Sequence, residues 1–372
     1  MVAGSLKQAL LRWSGESGCP LEVNVLPLAD GGDGSLEAIE LACRQQGLKI
    51  SVHKCQVNGI CADSQHEATW LELDDLNIVE LACACGLALW QDKTFEPMTS
   101  NTFALGQVIA DVIRHSQTTG IKRKIVVCLG GSASTDGGMG MLHALGANFY
   151  DRQGKLLPPG GDSLEHVSRC DLANVISLTR QFEFEVACDV ESPLLGKNGA
   201  IAFSAQKGAS LDEIVCLERG LANYAKVLEE ACGKESGSVS GLSGTGAAGG
   251  TAFALACVLK AKLISGFDFV SGLLNLESKV RWADLIISGE GRFDPQSFMG
   301  KASGQLAKLC SKYSKRFWIL PGASSRDNDW EVGDIDWRDH GIEIVCATAR
   351  EFDQALPEDI EATLYRLLRV RL

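Results

Sequence analysis

Residues 124–145 read KIVVCLGGSASTDGGMGMLHAL. An unbroken apolar run stops at Gly130 and Gly131, passes through a Ser/Thr/Gly loop, and gives way to a helical stretch from Gly138 to Leu145. A run of that length bounded by glycine reads as a strand buried on both faces, which calls for a parallel sheet covered by helices. The same strand, loop and helix order recurs in both directions along the chain. Upstream, LEVNVLPL (21–28) reads as a strand ending at ADGGDGS, with a helix from Leu36 to Gln46 behind it. Downstream, FEFEVACDV (182–190) alternates cleanly and ends at Asp189. WADLIISGEG (282–291) and RFWILPGASS (316–325) repeat the design, EIVCAT (343–348) reads as the last strand, and PEDIEATLYRLLRV (357–370) as the closing helix. The pattern is that of an α/β protein.

Composition narrows the class. At 372 residues one or two domains are expected, and 45% apolar with 22% charged residues fits a globular protein. The net charge of −12 disfavours nucleic acid or an acidic membrane as partner. No stretch approaches 18 uninterrupted apolar residues, and the start, MVAGSLKQALLRWSGE, lacks the pattern of a secretory signal. The 14 cysteines sit mostly inside apolar runs, as small hydrophobes of a reducing compartment do, so the cytosol is the expected location. No CxxC pair is present, and the six histidines are scattered, so no zinc site is expected.

One segment offers a competing reading. SGTGAAGG (243–250) places Gly244, Gly246 and Gly249 in the spacing of a dinucleotide fingerprint. That fingerprint needs an apolar strand before it, and CGKESGSVSGL (232–242) is no core strand. A loop opening the helix from Ala247 to Leu263 remains, either as plain structure or as a set of backbone N–H groups that receives phosphate.

Ligands of open α/β sheets bind beyond the carboxyl ends of the strands, and here those ends carry carboxylates. Asp30 and Asp33 lie on the first turn, where turn formation and helix capping are the plainer roles. Gly130, Gly131, Ser132 and Ser134 suit phosphate oxygens, while Asp136 belongs to the same loop or caps the helix after it. Asp189 follows its strand directly. SGEGRFDPQSFMGKASG (288–304) holds Glu290, Arg292, Asp294, Gln296 and Lys301. Backbone donors, carboxylates for Mg²⁺, a cation and a carboxylate facing a hydroxyl are the parts of phosphoryl transfer. Neither a Walker pattern nor a GxSxG elbow is present.

These segments resemble those of the bacterial-type glycerate kinase family. ADGGDGS, GGSASTDGG, CDVESPLLGKNGA, FSAQKGA, GTGAAGG and SGEGRFDPQSFMGK follow in order what the family writes as ADGGEGT, GGSATNDGG, CDVTNPLxGxxGA, FxxQKGA, GAGAAGG and TGEGxxDxQ…GK. The resemblance spans about residues 25 to 325. It implies two α/β domains: a Rossmann-like domain from both chain ends (1–56 with 285–372) and an inserted domain (57–284). It also implies ATP, Mg²⁺ and D-glycerate, with 2-phosphoglycerate as product. Asp189, Asp30 and Lys301 become the catalytic candidates, and Asp294 and Glu290 the metal ligands. Asp33, Gly130, Gly131, Ser132, Ser134, Asp136, Gly244, Gly246, Gly249, Arg292 and Gln296 become the substrate and ATP contacts. Thr135, Thr245 and Ser288 depart from the family's Asn, Ala and Thr. The family's opening strand and its APDSFKxxL segment have no counterpart, since the chain starts inside the helix that follows them. A kinase of another small hydroxy acid, or an impaired or truncated family member, are the alternatives.

Overall fold

The computed structural model describes residues 2–60, 64–90, 95–293, 301–324, 331–332, 335–336, 342–344 and 357–371. Two compact units divide the chain: a central unit, Ala29–Val270, and an end unit, Met1–Leu28 with Ser271–Leu372.

The central unit is built on a six-stranded sheet. Its strands are β1 (Ser51–Asn58), β2 (Gln65–Glu72), β3 (Leu76–Glu80), β4 (Lys124–Cys128), β7 (Phe184–Ala187) and β8 (Lys262–Ile264), while β5 (Asn148–Tyr150) and β6 (Arg169–Asp171) form a separate hairpin. The sheet order is β1-β2-β3-β4-β7-β8. The first three strands pair antiparallel, and β3, β4, β7 and β8 run parallel. In β4, Ile125 to Cys128 are all buried, as a strand covered on both faces must be. The helix Phe103–Thr119 turns Leu105, Val108, Ile109, Val112 and Ile113 into the core, the spacing of one helical face.

The end unit holds a parallel sheet of order β13-β10-β9, with β9 at Leu285–Phe293, β10 at Arg316–Ser324 and β13 at Ile342–Ile344. A two-stranded ribbon joins β11 (Glu331–Val332) to β12 (Ile335–Asp336). Phe317, Trp318, Ile319 and Leu320 of β10 are all fully buried. Leu6, Ala9 and Trp13 of the helix Val2–Ser17 pack with Leu364 and Leu368 of the helix Pro357–Arg371 in a core that includes Trp318 and Leu320.

Three expectations change. Leu21–Leu28 is irregular and pairs with no strand. The helix expected from Ala247 to Leu263 ends at Val258, and Lys262–Ile264 becomes β8 instead. A break at 56/57 would cut β1, whose register with β2 runs unbroken from Ser51 to Asn58, so the division falls after Leu28.

Candidate functional site

In the central unit, the carboxyl ends of β3, β4 and β7 gather several loops, and glycine is what lets them meet. A Cβ on Gly130 would lie 2.4 Å from the Gly32 Cα, which joins the loop after β4 to the loop 29–34. One on Gly31 would lie 2.8 Å from the Ala187 carbonyl oxygen at the end of β7, and one on Gly266 would lie 2.0 Å from that of Asp30. A Cβ on Gly249 would lie 2.2 Å from the Ser134 carbonyl oxygen, and one on Gly246 would lie 2.2 Å from that of Pro193. Distances under 3 Å are closer than any side chain permits, so each glycine is a point of backbone contact.

Asp189 stands two residues beyond β7. Its Oδ1 accepts from Ser265 Oγ (2.8 Å) and the Gly266 amide (3.0 Å), and its Oδ2 accepts from the Phe267 amide (2.7 Å). Those amides open the helix Gly266–Leu273, so the carboxylate also caps a helix, one that follows β8 instead of its own loop. A carboxylate has about four lone-pair sites, and three are taken, which leaves one for a ligand. Burial pushes the Asp189 carboxyl above its ordinary value, the neighbouring Asp30 adds to the rise, and the Ser265, Phe267 and Gly266 donors oppose it. Asp30 is half-buried, and its Oδ1 accepts from the Gly32 amide at 3.0 Å, which shapes the turn. Asp33 is exposed.

Glu80, the last residue of β3, was not among the candidates. Its Oε1 accepts from the Gly34 amide (3.1 Å) and its Oε2 from the Leu36 amide (2.8 Å), so it caps the helix Ser35–Gln45 from a distant strand and holds the 29–34 loop. Burial raises its carboxyl first of all; the Leu36 and Gly34 amides oppose the rise and the Asp33 charge adds to it. A carboxylate ending the apolar run NIVE was the available signal.

Asp136 lies apart from solvent. It is fully buried, and it accepts from Thr102 N and Oγ1 (2.9 and 2.8 Å), Gly140 N (2.9 Å) and Gly138 N (3.2 Å). The capping role weighed for it is the one it performs, on the helix Met139–Ala144. Ser134 is also fully buried, Ser132 is nearly so, and Gly131 is the exposed member of that loop. Lys207, in the FSAQKGA segment, lies buried beside them, with Nζ donating to the Ser134 carbonyl and, at 3.5 Å, to Thr135 Oγ1. Burial lowers its amine to about 8 against the pull of Asp136.

The 243–250 segment is preceded by turns, as its composition predicts. Gly244, Gly246 and Gly249 are buried; Ala248, Gly249 and Gly250 have consecutive φ values of 52°, 65° and 88°. The Gly246 amide donates to Ser192 O and the Gly249 carbonyl accepts from the Gly137 amide. Gly246 and Gly249 thus join neighbouring loops.

The remaining candidates belong to the end unit. Glu290 and Arg292 lie on β9, in register with Pro321 and Ala323. Lys301 is the residue before the helix Ala302–Lys312 and is half-buried. Asp294 and Gln296 lie outside the described residues.

The glycerate kinase family profile matches residues 2–366. A glycerate 2-kinase of Escherichia coli K12 is 35% identical over 322 residues, covering 86% of this chain and 80% of that protein. A glycerate kinase of Halalkalibacterium halodurans is 35% identical over 301 residues, covering 80% and 76%. The chain belongs to the glycerate kinase family. A solved structure from Salmonella typhimurium LT2, named provisionally as a glycerate kinase 2, superposes with a TM-score of 0.75 at 30% identity, covering 99% of this chain and 94% of that one. The family accounts for the two α/β units and for an enzyme that phosphorylates an alcohol. Among the described residues no helix is long and apolar enough to cross a membrane.

Proposed function

We propose that the chain transfers the γ-phosphoryl group of ATP to D-glycerate and releases 2-phosphoglycerate and ADP. The observation that carries this reading is the Asp189 carboxylate, seated at the end of a parallel strand by three donors, with Asp30 beside it. A carboxylate whose proton affinity is raised by burial is a better base for a hydroxyl near neutral pH. Its fixed geometry serves the positioning on which phosphoryl transfer depends. In this reading Asp189 faces the attacking hydroxyl, and Asp30 shapes the turn beside it.

Glu290 and Asp294 are the proposed holders of Mg²⁺, since hard carboxylate oxygens are the protein ligands that ion takes. When bound, Mg²⁺ neutralises charge on the phosphates. Lys301 and Arg292 supply the cations, with Gln296, Asp33, Gly130, Gly131 and Ser132 as contacts to the phosphates or the substrate. The fully buried Ser134 and the packed Gly244, Gly246 and Gly249 shape the loops that carry those contacts. Small molecules are the proposed partners, with neither nucleic acid nor membrane, in the cytosol.

The test is ADP release with ATP, Mg²⁺ and D-glycerate, with the product identified by ³¹P NMR so that 2- and 3-phosphorylation are told apart. ADP release that needs both glycerate and Mg²⁺ supports the reading. Release with another hydroxy acid but not glycerate moves the substrate. No release at high enzyme concentration ends the proposal. Asp294→Ala should raise the Mg²⁺ requirement, and an unchanged Mg²⁺ titration removes that residue from the metal site.

A further inference from the structure

At the other end of the central sheet, His53, Trp70 and Glu72 share one face of the β1–β2 ladder. His53 is paired with Trp70, and Glu72 lies two residues further along the same strand. The helix Phe103–Thr119 covers that face and brings His115 onto it. Glu72 Oε2 lies 2.8 Å from His53 Nε2 and 2.9 Å from His115 Nε2. Glu72 Oε1 lies 2.8 Å from Arg123 Nη2, just ahead of β4. The cluster stands where β3 and β4 begin, one strand length (roughly 15 Å) from Glu80 and the loops described above.

The three converging atoms do not make a complete set of hydrogen bonds. His53 has bonding geometry to Glu72, whereas His115 Nε2 is a buried nitrogen with no hydrogen-bond partner despite its 2.9 Å approach. An unsatisfied buried nitrogen costs free energy, and one pointed at a carboxylate oxygen already shared by a second imidazole is poorly served by a proton. The ligand atoms of His53, Glu72 and His115 all lie within 4.8 Å of one another. In a tetrahedral shell with bonds of about 2.0–2.1 Å they would stand about 3.3 Å apart, which a small opening of the cluster provides.

The surroundings are those of a held site. Trp70 stacks on His53 at 4.0 Å between centroids and 9° between planes, which fixes the imidazole. Trp70 is itself pinned by its Nε1–H donating to Asp111 Oδ2 at 3.0 Å. Arg123 grips the other oxygen of Glu72, as an outer residue orients a ligating carboxylate, and donates from Nε to Asp74 O. The three side chains are 25%, 17% and 28% exposed, enough for an ion to enter and for water to complete its shell.

We infer that His53, Glu72 and His115 form a binding site for a divalent ion of the zinc class, pinning β1 and β2 to the helix above them. Two imidazoles and a carboxylate are a ligand set that Zn²⁺ accepts. Arg123 offsets the Glu72 charge, so the ion enters a site of no net charge and its affinity is held down.

The test uses the full chain without a histidine tag, with Zn²⁺ in calorimetry and Co²⁺ in absorption. One equivalent of Zn²⁺ should bind and raise the melting temperature. At a free concentration 100 times its dissociation constant, the folding equilibrium should shift about 100-fold. His53→Gln and His115→Gln should each weaken binding at least ~10-fold. Far-UV circular dichroism checks that the variants fold. The Co²⁺ spectrum of the unaltered chain needs no variant: it should show the bands of nitrogen and oxygen ligands without thiolate charge transfer. Absence of binding, binding indifferent to both histidine variants, or a thiolate spectrum would each overturn the assignment.

Discussion

Asp189 caps a helix and, in the proposed reading, also serves as the base, and its conservative replacement separates the two roles. Asp189→Asn keeps one acceptor for Ser265 and the Gly266 amide but turns an NH₂ toward a position where the Phe267 amide now donates at 2.7 Å. We expect about 1–3 kcal/mol of lost stability from that mismatch and at least ~100-fold lower turnover per folded molecule from the lost base. Because burial raises the Asp189 carboxyl, the rate of the unaltered enzyme should fall on the acid side at a pH above the ordinary aspartate value of 3.8. Near-normal turnover of the folded variant would reduce Asp189 to a cap. Lys207 carries a prediction about stability alone. Its folded amine titrates at about 8 against an ordinary 10.5, so between those values the unfolded chain holds the proton that the folded chain has released. Stability therefore rises with pH across that window, by at most on the order of 3 kcal/mol. Urea unfolding of the unaltered chain and of Lys207→Met, compared from pH 8 to 10.5, should show the difference growing in favour of lysine. Parallel curves would sink the assignment.

At the scale of elements, the GTGAAGG loop shows what glycine spacing does and does not reveal. Its left-handed run includes one residue with a side chain, Ala248 at φ 52°. Ala248→Gly should stabilise by up to about 1 kcal/mol, because glycine adopts that region freely. One residue on, Gly249→Ala puts a Cβ 2.2 Å from Ser134 O at φ 65° and should destabilise by more than ~2 kcal/mol. Thermal unfolding of the two variants should move in opposite directions, and equal shifts would show the loop to be pliable. The absence of a strand before this loop was legible because glycine and serine bury nothing. Its true use was not, since contact with Ser134 and Pro193 is a property of the packed fold. The strands β4 and β7 were legible for the converse reason: runs such as IVVC leave few options. Strands β1 and β2 carry His53, Lys54, Gln65 and His66, whose polar faces mask their alternation in the sequence. Asp189 and Asp30 could be read as neighbours of a site from their places after strands. Glu80 needed the fold, because its partners Gly34 and Leu36 lie more than 40 residues away.

At the scale of the whole molecule, the end unit's sheet has an open edge beside an apolar cavity. The end unit's β9 pairs with β10 on one side and, among the described residues, with no strand on the other. A cavity of about 680 Å³ in this unit is lined by Leu285, Ile287 and Trp282 together with Leu21, Val23 and Val25. The stretch Leu21–Leu28 has the composition of a strand and lies beside the cavity, yet it makes no ladder. An open apolar edge is a site of aggregation, and each aliphatic side chain seated there would contribute roughly 1.5–3 kcal/mol. A short strand of alternating apolar residues, joined through a polar loop ahead of Val2, should enter this cavity and pair with β9. The melting temperature of the end unit should rise, aggregation on heating should fall, and the fluorescence of Trp282, now 51% exposed, should shift to the blue. The control carries proline in the middle of the same added strand, where it removes a ladder donor and should abolish the gain. If both additions behave like the unaltered chain, the cavity does not take a strand. The irregular course of Leu21–Leu28 is then that segment's own preference.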